Sequence, residues 1–407
     1  MFLYKLSAIL LFSAIFCFQA RSSVVVDDFV LASQNTNLMN LAADQKGNQY
    51  AVGYTIPLGQ WIVRKSSDFG LTWETADVFQ NNGNRSHAES VTVAPSGDIY
   101  VTGMHDINPK AENDDWSALV RKSTDQGKSW TTIYSGNDID DLVGPIAVDK
   151  DNNIYMSSPI WSDKWIVRKS SDGGKTWTVV DELPNKGPEK SSPTKIFMDS
   201  IGTIYVLGNE ERIDPKDHRK NHKKFFVRKS ENSGLTWSTV DGLFANNVGG
   251  FYTAFFVDSK GVIYVGGDKI DSNDSKFCLQ VVRKRPSSEK WEEILDCGES
   301  SGEISYAAHI YVDAKGKIIV SAVDSDFQSM DNPGKFGQHS FVKISEDDGK
   351  NWKLIDTYQP NTHPIYAQPT GIFLDPSRGL YIGYWSQSNF DFDDKSTNHW
   401  LIRRLDL

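Results

Sequence analysis

Cysteine is scarce in this sequence: three among 407 residues, Cys17, Cys278 and Cys297. No Cys/His zinc spacing, no H-E-x-x-H, no phosphate-cradling glycine loop and no G-x-S-x-G nucleophile turn occurs. Their lack argues against the common zinc-hydrolase, nucleotide-binding and α/β-hydrolase classes, and no cofactor or metal is expected. Long apolar runs are lacking too. Beyond a segment from Leu6 to Phe18, no stretch is apolar for long enough to cross a membrane. Positive charge is in deficit: 43 Lys and Arg stand against 53 Asp and Glu, a formal charge of −10. Nucleic acid and anionic membrane surfaces are poor partners for such a chain.

The one apolar segment sits in MFLYKLSAILLFSAIFCFQARSS, where a single Lys precedes the run and small residues follow. This is the grammar of a secretory signal peptide, with an Ala20-x-Ser22 cleavage site. Residues 1–22 are expected to be removed, leaving 23–407 as a secreted or periplasmic domain. Export permits a disulfide, and two cysteines remain to form one.

What the sequence has in abundance is aromatics, 12 Trp, 15 Tyr and 21 Phe, and repetition. Seven copies of a V-R-K-like strand place a basic residue at Arg64, Arg121, Arg168, Arg228, Arg283, Lys343 and Arg403, at intervals of 47 to 60 residues. Before each lie an apolar strand, a tight turn with Gly or Asn, and a second strand such as IYVTG or IYVLG. After six of them comes a hairpin and a fourth strand. Four short, apolar, antiparallel strands per repeat make a propeller blade, covered on both faces by its neighbours. The seventh copy has no fourth strand after it, but VVVDDFV at 24–30 has the pattern of one. The expectation is an all-β fold: a single seven-bladed β-propeller, its last blade closed by the N-terminal strand.

The hairpin after the V-R-K strand reads S-x-D-x-G-x-T-W. It holds Asp68, Gly70 and Trp73; Asp125, Gly127 and Trp130; Asp172, Gly174 and Trp177; Asn232, Gly234 and Trp237; and Asp347, Gly349 and Trp352. A short Asp or Asn side chain accepts hydrogen bonds from turn amides, Gly supplies the left-handed backbone, and Trp covers the turn. These residues closely resemble the Asp-box, or bacterial neuraminidase repeat, of sialidase-like propellers. The resemblance covers nearly the whole mature chain. It implies that the box acids are structural turn caps on the face away from any ligand. The fifth copy, Arg285 to Lys290, lacks both the Asp and the Gly. If its turn centres on Ser287-Ser288, Cys278 falls opposite Cys297, and a disulfide would staple the blade that lacks the box.

A sialidase needs three arginines converging on a carboxylate, a Tyr–Glu nucleophile pair and an acid. The Phe-Arg-Ile-Pro motif of that family is absent, and the V-R-K arginines, one per blade, look structural. Sites on such scaffolds sit on loops. The longest are 104–116, 209–224, 323–340 and 384–399 on the face opposite the boxes. Candidate ligand residues there and in the inter-blade loops are Arg85, His87, Trp161, Tyr252, Tyr306, His309, Tyr366 and Trp385. The weak catalytic candidates are Glu89, Asp106 and Glu303, since glycoside hydrolysis needs two carboxyls at a set separation. The leading expectation is a monomeric, non-catalytic scaffold binding a glycan or protein ligand. The alternative is a sialidase-like glycoside hydrolase.

Overall fold

The structure is a computed structural model. It describes residues 23–407 apart from 32–33, 45, 111–114, 138–143, 159–163, 185–188, 213–221, 244–251, 271–276, 289, 296–303, 327–336, 360–365, 376 and 388–397. The described residues form 28 strands and no helix. Blades 1 to 6 occupy 35–79, 86–135, 146–183, 189–243, 252–295 and 304–358. Blade 7 takes its three inner strands from 366–405 and its outermost from Ser23–Phe29. The first strands of successive blades lie side by side around the ring, and that of blade 1 also meets that of blade 7. Blades 5 and 6 are further joined by one parallel bridge, Phe277 to Ile304.

Burial explains the pattern of apolar residues. Every residue of the second strand of blade 2, Ile99–Asp106, is buried, because blades cover it on both faces. The outer strand of blade 1, Glu74–Phe79, is half-exposed and correspondingly polar. Each apolar cluster spans a seam between two blades; one joins Trp61 and Val63 of blade 1 to Ala88, Val91 and Leu119 of blade 2. Glycine is required at position 103, between its own blade's innermost strand and the Trp61 ring of blade 1. A Cβ on Gly103 would lie 1.9 Å from the His87 carbonyl oxygen and 2.9 Å from the Trp61 ring.

The closure expected from the sequence is present. Ser23–Phe29 runs antiparallel to Asn398–Leu405, with Val24 opposite Arg404 and Phe29 opposite Trp400. Four of the V-R-K arginines are seam staples. Arg121 of blade 2 pairs with Asp77 on the outer strand of blade 1 at 2.9 Å, Arg228 with Asp181 at 2.6 Å, and Arg403 with Asp356 at 2.7 Å. Arg64 makes the same pair with Asp27 at 2.5 Å. The N-terminal strand thus supplies to blade 1 what an ordinary fourth strand supplies to the next blade.

The boxes are built as their residues dictate. Asp172 Oδ1 accepts from the amides of Lys175 and Thr176, and Oδ2 from the Thr176 hydroxyl at 2.6 Å. The Gly174 amide donates to Ser170 Oγ at 2.9 Å. In blade 4, Asn232 does the same work through Oδ1. The residue before each box glycine is also left-handed, Phe69, Gln126, Gly173, Ser233 and Asp348, so each turn has two consecutive positive-φ residues.

Blade 5 departs from the pattern by one residue. Nine positions separate the shared basic residue from the box Trp in the five blades that have a box, and eight separate Arg283 from Trp291. The strand is slipped accordingly. Val282, not Arg283, faces Val265, where Arg228 faces Val206 in blade 4. Arg283 therefore stands at the position of Lys229, which corrects its assignment to the shared staple position. Near the turn the ladder has the expected register, Val282 opposite Glu293, but a bulge then places Val281 opposite Leu295. Cys297 lies outside the described residues, and so does the pairing proposed for it with Cys278.

Candidate functional site on the long-loop face

Four of the candidates fall at the upper end of blade 2. Arg85 stands just before the innermost strand, Ser86–Val93, and His87 and Glu89 follow at alternate positions along it. Asp106 ends the second strand. The His87 ring stacks on Tyr54 of blade 1 at 3.8 Å between centroids and 13° between planes. On its other side it lies 4.4 Å from the ring of Trp116, which begins the third strand. The Arg85 guanidinium sits over Trp116 at 5.3 Å and pairs with Asp106 at 2.8 Å. The result is a four-member stack, Tyr54–His87–Trp116–Arg85, reaching across the seam between blades 1 and 2. All four side chains keep partial access to solvent.

The Asp106 side chain is fully buried. It accepts from the Arg85 guanidinium and from the Asn108 amide at 2.9 Å. Its own amide donates to the Arg85 carbonyl, and the Asn84 side-chain amide donates to its carbonyl. This carboxylate fixes the arginine and the loop around it. Below the stack stands Glu89, whose carboxyl is pushed up to about 7 by burial. Tyr54 is raised above the ordinary phenol range, chiefly by burial and then by the Glu89 charge.

Glu89 owes its place to a bulge. Six of the seven innermost strands shift register at one equivalent point, and Glu89, between Ala88 and Ser90, is the bulged residue of blade 2. The same shift leads into Lys195 in blade 4 and His309 in blade 6. Burial lowers Lys195, and it lowers His309 to about 3 with help from the Lys195 charge. Burial thus shifts each of these groups toward its uncharged form.

The other candidates lie apart. Tyr252 is buried in blade 5, with its hydroxyl donating to Gln280 Oε1. The buried Asp268 charge acts on both Tyr252 and Tyr306. Trp385 lies on the second strand of blade 7, partly exposed. Tyr366 begins that blade's first strand. Trp161 and Glu303 lie outside the described residues. The expected long loops at 104–116 and 209–224 are partly strand, since the central hairpins of blades 2 and 4 project to Asp106 and Trp116, and to Arg212 and His222. Tyr54 and Trp116 were not among the candidates; both sit at hairpin ends, Trp116 reaching His87 across its own blade and Tyr54 across the seam from blade 1. Among the described residues no group of three His, Cys, Asp or Glu side chains could hold a metal, and no helix is long and apolar enough to cross a membrane.

No curated protein matches the chain. Solved structures of the same shape are distant in sequence. An ulvan lyase of a polysaccharide lyase family is 12% identical, with 89% of this chain and 93% of that one covered and a TM-score of 0.59. YCF48 bound to a D1 peptide is 11% identical, with 96% of each chain covered and a TM-score of 0.57. The polysaccharide lyase Uly1 is 10% identical, with 90% and 89% covered and a TM-score of 0.54. A BNR repeat-like domain matches residues 39–320, and with the boxes, the staples and the seven blades in view, the chain belongs to that family.

Proposed function

We propose that the protein is an exported binding scaffold that holds a glycan on its long-loop face, against the aromatic stack of blades 1 and 2. The stack carries this reading. Aromatic and imidazole rings offer apolar surface with polar edges, and a buried acid keeps the flanking guanidinium in place. A sugar ring has the matching character, with C–H faces and a hydroxyl rim. Propellers of this shape include a polysaccharide lyase and a peptide-bound protein. At 11 and 12% identity those likenesses show shape alone, so the ligand class rests on the residues. A peptide ligand would use the same shelf. The test is a glycan array followed by titration calorimetry on the best glycan. Trp116→Ala and His87→Ala should each weaken binding about tenfold, a loss of about 1.4 kcal/mol. Binding unaffected by both would remove the shelf from consideration.

The second reading, a glycoside hydrolase, draws on Glu89. A carboxyl titrating near 7 is poised to donate a proton at neutral pH. Asp106, held by Arg85, is unsuited to be its partner. Fluorogenic glycosides decide the matter: turnover abolished by Glu89→Gln would make the protein an enzyme. Export itself predicts a mature N-terminus at Ser23, read by Edman or mass analysis of the secreted protein.

A further inference from the structure

The box turns have a second task, seen at the seams. The box glycine of each blade leans on the preceding blade, beside a cross-strand pair of Tyr with Lys or Arg. That pair bonds the turn at some seams, while at the seam of blades 2 and 3 Lys122 pairs with Asp98 of its own blade. At the seam of blades 3 and 4, the Tyr155 hydroxyl and Lys169 ammonium both donate to the Ser233 carbonyl, at 3.2 and 2.9 Å. Ser233 is the residue before the box glycine. At the seam of blades 7 and 1, Tyr381 donates to the corresponding carbonyl of Phe69. At the seam of blades 1 and 2, a Cβ on Gly127 would lie 3.7 Å from both Tyr50 and Lys65 and 3.6 Å from Ala76. Even the slipped strand of blade 5 conforms, since Arg283, at the lysine position, donates to the Asp348 carbonyl of the blade 6 box at 2.9 Å.

The seam between blades 4 and 5 has the receiver without the turn. Tyr205 and Lys229 are cross-strand partners, as Tyr155 and Lys169 are. Val240 stands where Val180 meets Gly234. Blade 5 brings no box to them; among its described turn residues, 285–288, none has a left-handed backbone. A cleft of about 470 Å³ lies there instead, lined by Tyr205, Lys229, Val240, Lys260, Gly261 and Pro286. Tyr205 donates to Asp199, as Tyr155 does to Asp149, and Lys229 pairs with Glu231 of its own blade. Blade 7 also has no box, and its seam with blade 6 shows what a redundant receiver becomes. There the Tyr–Lys positions are Ile319 and Ile344, facing each other and buried with Leu405. Blade 4 keeps the polar pair.

We infer that the cleft between blades 4 and 5 receives a tight glycine turn from a partner protein, which fills the place of the missing box. The donated turn presents the carbonyl of its first left-handed residue to Tyr205 and Lys229 and lays its glycine on Val240. The site is on the box face, away from the aromatic shelf, and does not depend on it.

The probe is a head-to-tail cyclised hairpin peptide with the sequence of residues 168–178, titrated into the full mature protein by calorimetry and by NMR. Saturable binding is expected. Lys229→Met, at a partly exposed side chain, should weaken it about tenfold, the effect of losing one charge-assisted hydrogen bond. Tyr205→Phe should act in the same direction. The peptide with both adjacent turn glycines changed to alanine should not bind. No binding at millimolar peptide, equal binding of the alanine peptide, or binding indifferent to Lys229→Met would each overturn the inference. So would displacement of the peptide by equimolar acetate, the mark of a simple anion site. Concentration-dependent dimerisation abolished by Lys229→Met would name a second copy of this chain as the occupant and overturn the assignment to a foreign partner.

Discussion

The seam between blades 7 and 1 and the seam between blades 4 and 5 are built from the same repeat, yet they differ in nearly every tie. At the first, Arg64 pairs with Asp27, its guanidinium lies 4.3 Å above Phe29, and Phe29 packs edge-on to Trp400 at 5.6 Å. Tyr381 also holds the blade 1 box. At the second, Val282 occupies the staple position, and the box is missing. Among the described residues the seam is held by apolar packing, with Val227 and Tyr205 against Val265 and Val282. The repeat therefore guarantees the shape of each blade, while the ties between blades are set seam by seam. The place where the two chain ends meet is the more heavily tied of the two.

The largest effect should come from removing residues 23–29. That change strips the outer strand from blade 7 and the staple from blade 1, and it uncovers a sheet edge. A loss above about 5 kcal/mol is expected, a size that single substitutions rarely reach. A calorimetric melt would measure it, and a truncated chain melting with the intact one would contradict the ring closure. Next comes Arg64→Met. It leaves Asp27 buried without its cation, which costs about 3–5 kcal/mol when an ion pair this enclosed is broken from one side. Denaturant titration should show a fall in midpoint with little change in slope. At the seam of blades 4 and 5, hydrogen exchange should find the Ser238–Leu243 amides opening before those of Ser23–Phe29.

The smallest effects belong to the boxes. Their turn hydrogen bonds hold Asp125 and Asp347 at about 2 and Asp172 lower still, all below the usual carboxylate range. Because the folded values are depressed, the stabilisation is complete above about pH 4 and is lost as pH falls through the folded values toward 2. Thermal midpoints recorded between pH 5 and 2 should fall accordingly. Asp125→Asn should flatten part of that fall while changing stability at pH 7 little, since Asn232 already performs the role in blade 4. An unchanged acid limb in that variant would show that the box carboxylates do not carry the effect.

The blades were legible in the sequence because strand, turn and box recur as a unit, and a pattern met six or seven times outweighs any single propensity. The role of the box acids was legible for the same reason: an acid present in nearly every blade belongs to the blade. The slip in blade 5 was harder to see. It depends on one residue fewer between Arg283 and Trp291, which leaves the V-R-K letters intact while moving them by a position on the sheet. The shelf was half legible. Arg85 and His87 could be suspected from their place beside an innermost strand, and Asp106 from its place at the loop 104–116. Tyr54 could not, because ring stacking across a seam depends on the rotation between blades, and no local pattern encodes that angle; Trp116 could not, because its contact with His87 skips over the strand between them.

The pairing of Val24 with Arg404 has a consequence for how the molecule is made. The segment that leaves the ribosome early must wait for almost the entire remaining chain before it meets its partner. Until then the nascent protein is an open arc with a naked strand at one end, joined by contacts of the greatest possible sequence separation, and such contacts form slowly. Moving the chain break by circular permutation into a hairpin of another blade would let blade 7 assemble from neighbouring sequence, and should shorten the interval in which that edge can capture a stranger.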